Sequence, residues 1–163
     1  MVKYRRLTQL ELEELEKDFV NFLSAQSITA DDWIAIKNKD GIEMNKLIDQ
    51  FSDIVLEKVL SNISYLEMLS SQEIRIFKTE DSKARLLGIR IVNTELDLRN
   101  EDDLAQLFKN TSELIKHKAE LFHLEKEYSK AKADEVFFLV KNGAMICDNK
   151  LYDVIDSLLK EEN

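Results

Sequence analysis

The sequence predicts an α+β fold that is predominantly helical, with five or six helices and one two-stranded antiparallel β-hairpin. The 163 residues include no proline and three glycines, so the residues that break helices are scarce. Apolar residues recur at helical spacing through most of the chain. The stretch at about 73–92 instead alternates and is rich in β-branched residues, as strands are. This length fits one domain, which we expect to span residues 1–163.

The first helix is expected at about residues 9–26. Thr8 and Glu11 have the spacing of a capping box, in which each side chain accepts a hydrogen bond from the other residue's backbone N–H. An apolar stripe follows at helical spacing, formed by Leu12, Leu15, Phe19, Phe22 and Leu23.

Two further helices are predicted before the hairpin. Thr29 and Asp32 repeat the start signal and predict a short helix at about 30–37. The letters NKDG at 38–41 then indicate a loop. Apolar residues return to helical spacing after it, which predicts a third helix at about 42–66.

The hairpin is predicted from alternation. Ile74 and Ile76 point to one side of a strand at about 73–79, and a second apolar run forms its partner at about 84–92. The letters TEDSK between them are typical of a turn. Gly88, inside the second strand, is interpreted as a bulge.

The last third of the chain predicts three helices. Asn100 is a suitable cap for a helix at about 101–109. The next apolar stripe predicts one long amphipathic helix at about 112–142, which Gly143 would end. A final helix is expected at about 149–160.

The charge balance restricts the function classes. The formal net charge is −9, which disfavours sequence-independent binding to nucleic acid or to anionic membranes. Residues 70–99 are the exception, with six cations and five anions. The N-terminal cations have no apolar stretch behind them, and no run reaches the length of a membrane span. We therefore expect a cytoplasmic protein with no membrane association.

No catalytic or cofactor-binding residue and no cofactor is predicted, because no phosphate-binding loop, dinucleotide fingerprint, nucleophile elbow or zinc-ligand spacing is present. Glu120 and His123 have the Glu-x-x-His spacing of di-iron bundles, but on the predicted helix they would face solvent, so they are weak metal candidates. Cys147 is the single cysteine, which excludes an intrachain disulfide, and is interpreted as a small buried hydrophobe.

Three groups of residues are candidates for interaction. His117 would lie on the packed stripe of the long helix, with Glu113 and Glu120 nearby, and could titrate near neutral pH. Arg5 and Arg6 stand just before a helix, where the dipole disfavours cations, so we expect one of them to meet a carboxylate of another segment. The third group is the basic face of the hairpin, formed by Arg75, Lys78, Lys83, Arg85 and Arg90.

Four stretches together carry a resemblance: KYRRLT at the start, ELEELEKDF after it, ADDW near residue 31, and QFSD to EKVL at 50–60. With these stretches the chain resembles a small bacterial family of unknown function whose members open with K-Y-R-R-L-T. The resemblance implies a stand-alone bacterial cytoplasmic protein and no particular activity.

The function that we expect is that of a non-enzymatic interaction or regulatory protein. It would act through the long amphipathic helix or the hairpin edge, either with an unknown protein partner or as a homodimer. The alternative is binding of an anionic ligand or nucleic acid by the basic hairpin face. An enzyme with a carboxylate cleft is a third possibility.

Overall fold

The computed structural model describes residues 1–39, 41–92 and 95–163, and in it the chain forms two compact units. Unit 1 is Met1–Val59 and unit 2 is Leu60–Asn163. Over the described ranges there are eight helices and a five-stranded antiparallel sheet, so the fold is α+β and about half helical. The predicted five or six helices with a two-stranded hairpin are therefore wrong. The expectation of a single domain stays a prediction.

Unit 1 is helical, and its capping residues act as predicted. The Thr8 backbone N–H donates to the Glu11 carboxylate at 2.7 Å, and the Glu11 N–H donates to the Thr8 hydroxyl at 3.3 Å. Thr29 and Asp32 make the same reciprocal pair. The helices are α1 (Gln9–Glu14), α2 (Glu16–Ala25), α3 (Ala30–Lys39) and α4, which begins in unit 1 and covers Gly41–Ser61.

Three predictions in this region are wrong. The single helix expected at about 9–26 is divided at Leu15 into α1 and α2. Asn38 and Lys39 belong to α3 and Gly41 opens α4, where a loop at 38–41 was expected; Asp40 of that loop lies outside the described residues. The helix predicted to reach residue 66 ends at Ser61, because the chain after it becomes a strand.

Unit 2 is built on one antiparallel sheet with the strand order β4-β3-β2-β1-β5. The two segments predicted to pair as a lone hairpin are β2 and β3, which pair with each other in the interior of this sheet. The strands are β1 (Tyr65–Leu69), β2 (Glu73–Thr79), β3 (Lys83–Arg90), β4 (Glu120–Glu127) and β5 (Met145–Ile146). The helices of this unit are α5 (Glu101–Leu107), α6 (Thr111–Lys116), α7 (Lys132–Lys141) and α8 (Lys150–Glu162).

The long helix predicted at 112–142 is wrong, because its middle is β4. Helix α6 ends at Lys116, and Lys118 then takes a left-handed backbone conformation with φ of 51°. The Ala119 N–H bonds back to the Leu114 carbonyl at 2.9 Å, which satisfies an end group of the helix. Gly143 follows α7 with φ of 101°, as expected of a residue that ends a helix.

The two faces of the sheet carry different side chains. Ile74, Ile76, Leu87 and Ile89 are buried in a core with Ile155 of α8, and we call their side the α8 face. The other side is the α7 face, where Phe77, Leu86 and Leu124 line a cavity together with Phe138 and Leu139 of α7. No helix in the described part of the chain is long and apolar enough to cross a membrane.

The predicted bulge at Gly88 is also wrong, because the pairing is regular there. Gly88 lies opposite Arg75 of β2 and Phe122 of β4 without an inserted residue. A Cβ atom at this position would lie 2.1 Å from the Phe122 ring. Glycine therefore provides the space that the ring occupies over the backbone of β3.

We expect Gly88→Ala to destabilise the protein by about 1–3 kcal/mol, because the added methyl group overlaps the Phe122 ring. Removing the ring with Phe122→Ala should lower the cost of the glycine substitution in the double variant. Urea unfolding measures both effects. Gly41→Ala is the control, since a Cβ there meets no atom within 4 Å. Equal costs at the two glycines would contradict the pairing of β3 with β4.

Candidate functional site

The cations of the hairpin do not form one basic face. Successive residues of a strand point to opposite faces, so Arg75 and Arg90 lie on the α7 face. Lys78, Lys83 and Arg85 have the other parity and lie on the α8 face. The structure therefore separates the residues that the sequence analysis grouped together.

On the α7 face, Arg75 and Arg90 share the carboxylate of Glu73. The Arg90 Nε donates to one Glu73 oxygen at 2.7 Å, and the Arg75 Nε donates to the other. Burial raises the pKa of Glu73, but the hydrogen bonds from Arg90 and Arg75 outweigh burial and leave the pKa below its usual value. The three side chains thus carry one excess positive charge at neutral pH.

These arginines also line a cavity of about 460 Å³ at the end of the sheet. Ser70 and Gln72 add polar groups to the wall, while Met68 and Leu69 contribute apolar surface. The Arg90 guanidinium lies 5.4 Å from the centroid of the Phe122 ring, which supports it through a cation–π contact.

The cations of the α8 face are engaged within the chain. Lys83 Nζ and Arg85 Nε lie 3.2 and 3.7 Å from the oxygens of Glu125 in β4. Lys78 Nζ lies 5.7 Å from the centroid of the Tyr152 ring in α8. These contacts join β2 and β3 to the neighbouring elements of unit 2.

The outer side of β4 is an open edge of the sheet. The Tyr128 N–H donates to the Ser82 carbonyl at 2.9 Å, so even-numbered residues of β4 point their backbone groups towards β3. Hydrogen-bonded and non-hydrogen-bonded pairs alternate along an antiparallel ladder. The backbone groups of the odd-numbered residues therefore point away from the sheet, and these residues are Leu121, His123, Glu125 and Glu127. No other strand of the described chain pairs with that side.

The side chains of β4 are largely in solvent. Every residue from His123 to Glu127 is exposed, and Leu124 shows 65% of its surface. The opposite edge of the sheet is β5, which has only two residues. The long edge was not predicted, because the apolar spacing of this segment favours a helix. The one local hint of a strand is the alternation of Phe122 and Leu124 with polar residues.

The weak metal pair is not brought together. Glu120 and His123 are three residues apart on a strand, and this spacing places their side chains on opposite faces of the sheet. Among the described residues, no group of three or more His, Cys, Asp or Glu side chains could hold a metal ion.

His117 and Cys147 occupy packed positions. His117 caps the end of α6 with 7% of its surface exposed, and its Nε2 lies 3.5 Å from the Glu113 carboxylate. Burial, with the charges of Glu67 and Asp148, raises the pKa of the half-buried Cys147 thiol to about 12. A thiol that stays protonated is a poor nucleophile.

In unit 1, the N-terminal segment is held on α4 by a row of carboxylates. Asp53 accepts the backbone N–H groups of Lys3 and Tyr4 at 2.8–3.2 Å. One turn further along α4, Glu57 accepts from the Tyr4 hydroxyl and lies 3.1 Å from Lys3 Nζ. One turn before Asp53, Asp49 accepts from Arg6 Nε at 2.6 Å.

The prediction that Arg5 or Arg6 meets a carboxylate of another segment is confirmed by the Arg6–Asp49 pair. Arg5 makes two hydrogen bonds of 2.7 and 2.8 Å to Glu11 of α1. Both guanidinium groups are therefore used inside unit 1, which explains the N-terminal cations without an external partner.

The Asp49 carboxylate should make the stability of the protein depend on pH. The hydrogen bond from Arg6 lowers the pKa of Asp49, although burial opposes it. A lowered pKa stabilises the folded state above the ordinary carboxyl range, and this contribution is lost as the pH falls through the folded-state value. We expect Asp49→Asn to lower the urea midpoint at pH 7, with a gap from wild type that narrows below about pH 4.

Urea titrations from pH 7 downward, as far as the wild type stays folded, measure this gap. Glu14→Gln, at an exposed position of α1, is the matched control and should leave the midpoint unchanged at every pH. A gap for Asp49→Asn that keeps its size as the pH falls would contradict the assignment.

When compared with known protein families, the chain matches a family of unknown function, DUF6495, over residues 1–160. No curated protein and no solved structure matches it significantly. Because the family match covers nearly the whole chain, the protein belongs to the family of unknown function DUF6495.

Proposed function

We propose that this protein is a non-enzymatic interaction protein that binds an extended segment of a partner by strand addition at the outer edge of β4. The observation that carries the proposal is the row of backbone groups at Leu121, His123, Glu125 and Glu127, which point away from the sheet along an exposed eight-residue strand. Such an edge supplies main-chain hydrogen bonds to an added strand.

The side chains next to this edge provide a second recognition element. Leu124 and Phe138 expose 65% and 64% of their surfaces beside a cavity of about 230 Å³ on the α7 face. Its wall is mainly apolar, with Phe77, Leu86 and Leu139 in it. A bound strand would place alternate side chains over this face, where an apolar one fits the cavity.

The β4 edge replaces the surfaces that the sequence favoured. The long amphipathic helix does not exist, and β2 and β3 are each paired on both sides, so the hairpin offers no free edge. Strand addition is still the proposed mechanism, but it takes place at β4 and not at the edge of the hairpin.

A proline substitution tests this proposal without breaking the sheet. The His123 N–H points outward, so His123→Pro should keep the pairing with β3 and block an added strand. His123→Thr is the matched control, because it keeps the N–H. With tagged protein in the cells that make it, we expect capture of the bound protein by wild type and His123→Thr, and its loss with His123→Pro. The same captured proteins with all three baits would refute strand addition.

A second candidate function is binding of a small anion by Arg75 and Arg90. It is favoured by the cavity of about 460 Å³ that both guanidinium groups line. Glu73 occupies these groups, so an incoming anion competes with its carboxylate. The cluster is small, which favours inorganic phosphate or a similar ion over a nucleic acid.

Calorimetric titration with inorganic phosphate tests the second candidate. Glu73→Gln should tighten phosphate binding roughly tenfold, because it removes the competing charge at short distance. Arg75→Gln should abolish binding, whereas Lys78→Gln, on the α8 face, is the control and should leave it unchanged. Absence of binding to both wild type and Glu73→Gln would eliminate this function.

The source and compartment of the protein are also proposals. A bacterial origin rests on the sequence resemblance alone. A cytoplasmic location is supported by the single cysteine, which cannot form an intrachain disulfide.

A further inference from the structure

We infer that the strand added to β4 is β4 of a second copy of this chain, paired antiparallel about a two-fold axis at Leu124. This inference rests on the proposed function, because it uses the same edge and names its occupant. It assigns to the edge both a partner and a register.

Symmetry limits the registers that are open to two copies. A two-fold axis perpendicular to the sheet keeps the α7 faces of both copies on the same side. Residues opposite each other in an antiparallel pair share a face, so each must meet a residue of its own parity. The axis therefore lies between one residue and the same residue of the second copy. It never lies level with the midpoint between two successive residues.

Among these positions, Leu124 gives every outward-facing residue of β4 a partner. Leu121 meets Glu127 of the second copy, and His123 meets Glu125. Each such pair exchanges two backbone hydrogen bonds.

Neighbouring axes lose one of these pairs. An axis at His123 would place Glu127 opposite Ala119, whose N–H already donates to the Leu114 carbonyl at 2.9 Å. An axis at Glu125 would place Leu121 opposite Ser129, whose N–H already donates to the Glu135 carboxylate at 3.2 Å. The backbone alone thus selects Leu124.

The side chains are complementary in the same register. Leu124, largely exposed in one copy, meets its own symmetry mate in a non-hydrogen-bonded pair, where side chains approach most closely. Phe122 meets Lys126, which places a cation beside a ring. On the α8 face, His123 meets Glu125. No two carboxylates of β4 stand directly opposite each other, so the register avoids the most destabilising like-charge pairs.

Disulfide trapping tests the register. In a Cys147→Ala background, Leu124→Cys should form a covalent dimer in a glutathione redox buffer, because the two residues meet at the axis. Phe122→Cys and Lys126→Cys are matched controls on the same face. Each lies about 13 Å from its own symmetry mate, beyond the reach of a disulfide, so neither should dimerise alone. A mixture of these two variants should form the mixed disulfide. A disulfide-linked dimer of the Lys126→Cys variant, with no such dimer of the Leu124→Cys variant, would overturn the register.

Light scattering after size exclusion tests the dimer itself. Wild type should have twice the 19.0 kDa mass of the chain, and both His123→Pro and Leu124→Asp should be monomeric. Leu124→Asp keeps every backbone hydrogen-bonding group and places two carboxylates at the axis. If this variant is also monomeric, the loss of the dimer is not caused by a folding defect of the proline variant. Circular dichroism checks that both variants stay folded.

The outcomes separate this inference from the proposed function. A monomeric wild type at all concentrations overturns the second copy as occupant. If His123→Pro still abolishes capture of another protein, strand addition stands with a different partner. A monomeric wild type with capture insensitive to His123→Pro defeats both.

Discussion

The backbone of β3 imposes the constraint on which unit 2 depends. Gly88 and Ile89 are buried in the middle of the sheet, and buried N–H and C=O groups need hydrogen-bond partners. The backbone groups of alternate β3 residues point towards β2, and those of the residues between them point away from β2. A second strand must therefore lie on the side of β3 that faces away from β2. The segment ELFHLEKE becomes β4 for this reason, although its own pattern favours a helix. The same pairing places the Phe122 ring over Gly88 and leaves the outer side of β4 open.

The sequence predicted the features that are decided locally. The caps at Thr8, Thr29 and Asn100 and the hairpin each depend on residues close together in the chain. The 112–142 segment could not be predicted, because its conformation is decided by pairing with β3, some forty residues earlier. The break before β4 also lacks a sequence signal, since Lys118 takes a left-handed conformation that usually marks glycine. The candidate edge was missed with the strand that forms it.

Unit 1 shows the same limit in its ion pairs. That Arg6 needs a carboxylate follows from the unfavourable dipole before α1. Which carboxylate it meets depends on how the N-terminal segment lies on α4, where Asp49, Asp53 and Glu57 recur one turn apart. This spacing is visible in the sequence, but acidic residues at four-residue intervals are common on solvated helix faces. The structure shows that these three carboxylates bind the N-terminal segment rather than only facing solvent.

The charges on β4 do not protect its edge as charges usually do. Edge strands avoid pairing with other chains by presenting unpaired charged groups, lysine above all. Here two of the four charges are engaged within the chain: Glu125 lies within 4 Å of Lys83 and Arg85, and Lys126 lies 3.3 Å from Glu135. Burial raises the pKa of Glu135, but the hydrogen bonds from Lys126 and Ser129 together outweigh burial and leave the pKa below its usual value. Because these two charges are engaged inward, an added strand meets less repulsion at this edge, and for this reason we propose β4 as the binding edge.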